Sequence, residues 1–418
     1  MRRASNPFHP KMKSSQIDDK KEIKSESPYS TIPAPRKKRA TMFQIARLVY
    51  LLLVFVTGCT SIVSSQLIIL LLFHNDIRRK NMLLRFTKQN FLVLLVYLTS
   101  KVSPTELILT FGDSPLLNNA VHTDPKTKRH TFNLDNHAIV IANHQIYSDW
   151  VFVWFITYLN KCADQIFIVM KKSLEKLPVL GFGMRNYNFV FLSRNWARDR
   201  DYMVQSFRKV ATVGQKCWLL IFPEGTNLST TTYSKSSKYA EKVHMKPTQN
   251  VLLPRARGLY LACKNLGSTT RTLYDLTIGY SGHSSEKMAQ DVYTLSSTYL
   301  FGHGPKSISI HIDAIDIQHD IPEVDFSGIS TNIGVNEEEE EIERFGNWLN
   351  NRWYKKDQLM KQYYETGKFE NPRGKEYRMQ LKLATSFELL NVYLIPLLAY
   401  VFGVIIYKMV HYLSLIHI

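Results

Sequence analysis

Residues 138–150 read Ala138-Ile139-Val140-Ile141-Ala142-Asn143-His144-Gln145-Ile146-Tyr147-Ser148-Asp149-Trp150. The first five are all apolar, as expected of a strand buried on both faces. From Asp149 to Asn160 the pattern is helical, with Ser148 as N-cap and Asp149 in the first turn. His144 therefore falls in the loop between strand and helix. A five-residue separation is about 140° on a regular helix, so His144 and Asp149 would not share a face. They meet only if the chain bends between them. An Asp against one imidazole nitrogen fixes the tautomer and supports the imidazolium. The other nitrogen is then free to take a proton from a hydroxyl. Taken singly, His144 also reads as a capping or structural histidine, and Asp149 as a helix N-terminal charge.

Working outward, similar apolar runs recur at Asn188–Leu192, Cys217–Phe222, Asn250–Leu253 and Leu273–Tyr280, with a helical pattern at Asp199–Val213. The run Ser307–Ile317 alternates, which predicts a half-exposed strand. The fold class is α/β: a mixed, largely parallel sheet flanked by helices, with membrane segments at both ends. In open α/β sheets, ligands sit outside the carboxyl ends of the strands. The residues found there are Asn143-His144, Ser193-Arg194, Pro223-Glu224-Gly225-Thr226 and Pro254-Arg255. Parallel strands would gather His144, Asp149, Glu224, Arg194 and Arg255 on one rim, suited to an anionic substrate and a proton transfer. Pro223 ends its strand, Gly225 permits a tight turn, and Glu224 and Thr226 offer contacts to a polyol.

Leu48–Phe73 holds 26 residues without a charge, more than the roughly 20 that a helix needs to cross the hydrocarbon. It is too long, and starts too far into the chain, for a secretory signal. Leu389–Tyr407 holds 19 uncharged residues and reads as a second span, its Pro396 and Gly403 being tolerated in a membrane helix. Phe91–Ser100 is shorter and reads either as a re-entrant or interfacial piece or as a buried core helix. Basic residues flank the first span on both sides, at Arg36–Arg39 and Arg78–Lys80, with the former favouring a cytosolic N-terminus.

The net charge of +18 is concentrated, with 12 Lys/Arg against four Asp/Glu in residues 1–47. That balance suits an anionic partner, and its direct approach to apolar sequence favours a bilayer over nucleic acid. Residues 1–40 are Ser/Lys/Pro-rich and expected to be disordered. The boundaries that follow are 1–40 basic tail, 41–105 membrane-anchoring segments, 106–335 α/β domain, 336–385 helical extension and 386–418 C-terminal transmembrane segment. In the extension, Asn336 caps a helix whose acidic start, Glu337–Glu341, suits the dipole, with Phe345, Trp348, Leu349 and Trp353 as its apolar stripe. His311, Asp313 and Asp316 read as an exposed strand face. Cys59, Cys162, Cys217 and Cys263 have no metal-ligand spacing and read as reduced, packed thiols, in keeping with a cytosol-facing domain.

His-x4-Asp followed by Phe222-Pro223-Glu224-Gly225-Thr226 resembles the 1-acylglycerol-phosphate acyltransferase family in order and spacing. Phe191-Leu192-Ser193-Arg194-Asn195-Trp196 is similar to its arginine motif, and Val251-Leu252-Leu253-Pro254-Arg255 to its proline-containing block. The resemblance covers roughly residues 110–320. Asp149-Trp150, Leu253-Pro254-Arg255, Tyr363-Tyr364-Glu365-Thr366-Gly367 and the C-terminal apolar segment are similar to the eukaryotic lysocardiolipin and lysophosphatidylinositol acyltransferase branch. Gln145-Ile146-Tyr147-Ser148 departs from the motif only at positions that vary in the family.

The resemblance implies acyl transfer from acyl-CoA to a lysophospholipid by an integral membrane protein of the endoplasmic reticulum, its catalytic domain facing the cytosol. His144 would be general base and Asp149 its partner. Arg194 would bind the acceptor's phosphate, and Asn143, Glu224, Gly225 and Thr226 would help hold the acceptor. Pro254 and Arg255 would border the site. Lys171, Lys172 and Arg198 are candidates for the phosphates of acyl-CoA. No metal, cofactor or covalent acyl-enzyme is implied. Two rivals are a serine lipase of the Gly-Asp-Ser type (Ser114, Asp316, His319) and a non-catalytic membrane scaffold. The lipase lacks a Gly-x-Asn-Asp block, and Gly279–His283 fails as a nucleophile elbow because His283 stands where Gly is required.

Overall fold

The structure, a computed structural model, describes residues 41–127, 130–213, 216–322, 324, 326 and 335–416. The basic tail lies outside the described residues. The strands are β1 (Glu106–Phe111), β2 (Val121–Thr123), β3 (His130–Phe132), β4 (His137–Ala142), β5 (Ile166–Lys171), β6 (Val190–Leu192), β7 (Cys217–Ile221), β8 (Thr272–Tyr280), β9 (Ser307–Asp316) and β10 (Tyr377–Gln380). The helices are α1 (Met42–Leu72), α2 (Ile77–Val102), α3 (Asp149–Leu159), α4 (Leu180–Asn186), α5 (Trp196–Val213), α6 (Thr230–Lys242), α7 (Ala256–Leu266), α8 (Ala289–Val292), α9 (Val335–Thr366) and α10 (Asn391–Ile416).

Eight strands form one sheet in the order β10-β1-β9-β8-β4-β7-β5-β6, and five of its seven pairings are parallel. The block β8-β4-β7-β5-β6 is parallel throughout, so these five strands end on one rim. Strands β1 and β9 run the other way. The continuous apolar runs of β4, β7 and β8 are buried along nearly their whole length, as strands covered on both faces require. One face packs on a cluster built from α1, α2 and α3, and the other on a cluster built from α5, α7 and α9.

Two of the expected strands need correction. Asn250–Leu253 is buried but forms no strand. Side chains replace the ladder there: Asp357 of α9 accepts the N–H groups of Gln249 (3.0 Å) and Asn250 (2.6 Å), and Ser236 Oγ accepts that of Leu253 (3.1 Å). Strand β9 is not half-exposed but almost wholly buried, so His311, Asp313 and Asp316 are not an exposed face. Its polar side chains are paired instead: His311 Nδ1 with Thr110 (3.1 Å), Asp313 with Arg352 (2.7 Å), Asp316 with Arg271. Strand β6 starts at Val190 because Asn188 turns the backbone left-handed (φ 56°). Helix α9 begins a residue before Asn336, and its stripe of Phe345, Leu349 and Trp353 is fully buried.

Helices α1 and the segment Ser386–Leu413 are long and apolar enough to cross a membrane. Their exposed faces carry Leu52, Leu53, Val56, Leu397, Phe402 and Ile406. Phe91–Ser100 belongs to the 26-residue α2, where Leu92, Leu94 and Val96 are fully buried, which selects the core-helix reading. All four cysteines are free and buried.

Candidate active site

Strand β4 delivers His144 to the rim, and α3 begins five residues later with Asp149. The bend between them curls around the Asp149 carboxylate. His144 Nδ1 lies 2.8 Å from Asp149 Oδ2, and the same oxygen accepts the N–H groups of Gln145 (2.6 Å) and Ile146 (3.0 Å). Asp149 thus reaches back from the first turn of the helix and gathers the N–H groups of the preceding loop into shape. Asp149 is fully buried and His144 is 18% exposed, its ring stacked on Phe222 at 4.4 Å. With Nδ1 taken up by Asp149, Nε2 is the nitrogen left for a substrate.

Arg194 is built in the same way. It follows β6 in a left-handed conformation (φ 67°), costly for a non-glycine residue. Asp199, in the first turn of α5, accepts the N–H of Ser193 (3.0 Å), the hydroxyl of Ser193 (2.8 Å) and the N–H of Asn195 (3.1 Å), so the flanks of Arg194 are clamped. Partial burial and then the charge of Arg255 lower the Arg194 pKa. Both are exposed, and neither has a carboxylate partner among the described residues.

Arg255 comes from no strand. Its N–H donates to Pro223 O (2.8 Å), which docks the start of α7 on the turn after β7. That turn closes with Gly225 N–H on Phe222 O (2.9 Å), and Gly225 has φ 70°, where a side chain would be strained. Thr226 is half-buried beside it, and Pro254 is buried just before Arg255.

The structure turns two expected acceptor contacts inward. Asn143 is fully buried and spends its amide on β8, donating to Ile278 O (3.0 Å) and accepting from Ile278 N (2.7 Å). Glu224 points beneath the rim, where its carboxyl accepts the indole N–H of Trp353 (3.2 Å). Burial pushes Glu224 up to about 8, against the opposing pull of Trp353, of the backbone N–H groups of His144 and Leu252, and of Lys356. Lys356 is itself buried, held by Asp275 (2.6 Å), Leu276 O (2.6 Å) and Thr277 (3.1 Å). Among the candidates for acyl-CoA phosphates, Lys172 is paired with Glu175 (2.7 Å).

Several residues of this arrangement escaped the sequence reading: Asp199, Trp353, Lys356 and Tyr280, whose hydroxyl donates to Asp149. Asp199 had a signal, since it follows Arg194 at the spacing with which Asp149 follows His144. Trp353, Lys356 and Tyr280 had none, because long-range packing alone brings them in. No group of three or more His, Cys, Asp or Glu residues that could hold a metal occurs among the described residues.

The lipase constellation does not assemble. Ser114 follows β1 and Asp316 is the last residue of β9, and the ends of these strands lie on the rim opposite His144. The carbonyl of Ser114 is held by Arg373 (2.6 Å), Asp316 is paired with Arg271, and no hydrogen bond joins Ser114 to His319.

Comparison with known proteins places the chain in a family. Residues 121–262 match the family described as Acyltransferase, and residues 333–393 match Acyltransferase C-terminus. The chain is 35% identical over 393 residues to 2-acyl-1-lysophosphatidylinositol acyltransferase of Saccharomyces cerevisiae, covering 86% of this chain and 94% of that protein. It is 30% identical to 1-acyl-sn-glycerol-3-phosphate acyltransferase 2 of Arabidopsis thaliana, over 47% of this chain and 48% of that one. It is 26% identical to lysocardiolipin acyltransferase 1 of Gallus gallus, over 57% and 56%.

Proposed function

The chain belongs to the lysophospholipid and glycerolipid acyltransferase family, and on that premise we propose that it moves an acyl group from acyl-CoA to a free hydroxyl of a lysophospholipid, with His144 as general base. The observation that carries this reading is the buried Asp149 carboxylate 2.8 Å from His144 Nδ1, which leaves Nε2 for the substrate. A hydroxyl is a poor nucleophile until its proton is removed. His144 Nε2 takes that proton as the oxygen attacks the thioester carbonyl, a contribution of about 10²–10⁴ in rate. Asp149 holds the tautomer and supports the imidazolium. The tetrahedral intermediate expels the CoA thiolate, which takes the proton back from His144. The products are an ester and a free thiol, with no acyl group passing through the protein.

Arg194 and Arg255, both exposed and without carboxylate partners among the described residues, suit the phosphate of the acceptor. The relative covering nearly the whole chain is named for lysophosphatidylinositol, which supports that headgroup over lysophosphatidate or lysocardiolipin. Helix α1 and the apolar C-terminal helix would keep enzyme and acceptor in one bilayer. The same reading puts the catalytic domain on the cytosolic face of the endoplasmic reticulum, where acyl-CoA is available.

The test is a transfer assay with purified protein, oleoyl-CoA and a panel of lysophospholipids. His144→Ala should lose about 10²–10⁴-fold in kcat while remaining folded and membrane-bound. Substantial residual transfer would show that His144 is not the base.

A further inference from the structure

A buried carboxylate needs a donor on each of its oxygens. Asp149 Oδ2 has three, from His144 and the N–H groups of Gln145 and Ile146. Among the described residues, Oδ1 has the hydroxyl of Tyr280 alone. Tyr280 stands at the end of β8, outside every motif around His144. It reaches Asp149 because Asn143 bonds twice to Ile278 and locks the ends of β4 and β8 together two residues earlier. Its ring is 1% exposed, packed against Phe152 (6.1 Å) and Tyr293 (6.0 Å). Gly279 beside it lets Tyr363 of α9 approach so closely that a Cβ there would meet that ring at 2.7 Å. Burial first, and the neighbouring Asp149 second, push the phenol well above its usual pKa, so the hydroxyl remains a donor at any working pH.

We propose that Tyr280 is a positioning residue for acyl transfer, acting through Asp149: it fixes the plane of the carboxylate against the His144 imidazole and supplies the donor that the buried Oδ1 requires. The inference rests on His144 being the base. With one oxygen unheld, the carboxylate can turn about its Cβ–Cγ bond, and its charge faces aromatic rings. The His144–Asp149 pair then keeps a proton to higher pH.

The experiment compares wild type, Tyr280→Phe, His144→Ala and a protein carrying 2,3-difluorotyrosine at position 280. Each is purified full-length and assayed with oleoyl-CoA and lysophosphatidylinositol across pH. Tyr280→Phe should lower kcat about ten-fold, leave both KM values within about two-fold, and move the acid limb of the kcat/KM profile up by about one pH unit. Difluorotyrosine has a more acidic hydroxyl, donates more strongly, and should move that limb down. It keeps ring and hydroxyl, so it carries the test if Tyr280→Phe does not fold. A Tyr280→Phe enzyme with wild-type kcat and acid limb, or two replacements moving the limb in one direction, overturns the role of Tyr280. If His144→Ala is inactive in that case, the base assignment stands without it. An active His144→Ala overturns both.

Discussion

Glu224 offers a quantitative test of how α9 is tied to the rim. Its carboxyl is buried under α9 and titrates near 8, against 4.5 for an ordinary glutamate. Between those values the folded protein holds a proton that the unfolded chain releases. Stability is therefore fully present below about pH 4.5 and is lost as pH rises toward 8. A gap of about 3.5 units corresponds to roughly 5 kcal/mol in all, of which about 4 kcal/mol falls between pH 5 and pH 9. Glu224→Gln keeps the shape, leaves an oxygen for the Trp353 indole N–H and cannot ionise. Near pH 5 it should match wild type within about 1 kcal/mol, and at pH 9 it should be the more stable by about 4 kcal/mol, or roughly 5 °C in Tm. Thermal unfolding of the two purified proteins in detergent across this range measures the difference, in which all other titrations cancel. A gap between them that does not widen with pH would refute the buried, proton-binding Glu224.

Other expectations follow from the same contacts. Arg255→Ala should raise KM for the lysophospholipid about ten-fold or more and leave that for acyl-CoA nearly unchanged, as read from separate saturation curves. Lys356→Met leaves Asp275 buried with Arg352 alone, and denaturant titration should show a loss of about 3–5 kcal/mol. The added methyl of Gly279→Ala must displace the Tyr363 ring, at about 1–3 kcal/mol of stability in the same titration. A serine-reactive fluorophosphonate should leave Ser114 unlabelled, and labelling there would revive the hydrolase reading.

The family and the two leading residues were legible because they are local. The strand Ala138–Ala142, the bend and the N-terminal Asp149 lie within thirteen consecutive residues. Apolar runs and their punctuation also disclosed β4, β7 and β8, since strands buried on both faces show in composition alone. The same signal misled at Asn250–Leu253, where Asp357 and Ser236 satisfy the backbone in place of a neighbouring strand. In β9 the alternation was real, but its polar side chains are paired, Asp313 with Arg352 of α9 and His311 with Thr110 of β1.

The sequence by itself supplied the groups: a histidine and an aspartate at a strand-to-helix bend, an arginine after another strand, and apolar helices toward both ends. Tertiary structure alone decided the directions of the side chains. Asn143 and Glu224 looked like acceptor contacts, yet one ties β4 to β8 and the other faces Trp353. Tyr280 reached Asp149 from 131 residues away, and Arg255 reached the rim through a backbone bond to Pro223. Such placements depend on strand order and helix docking, which are set by the sum of many distant burials and leave no mark in any short stretch of chain.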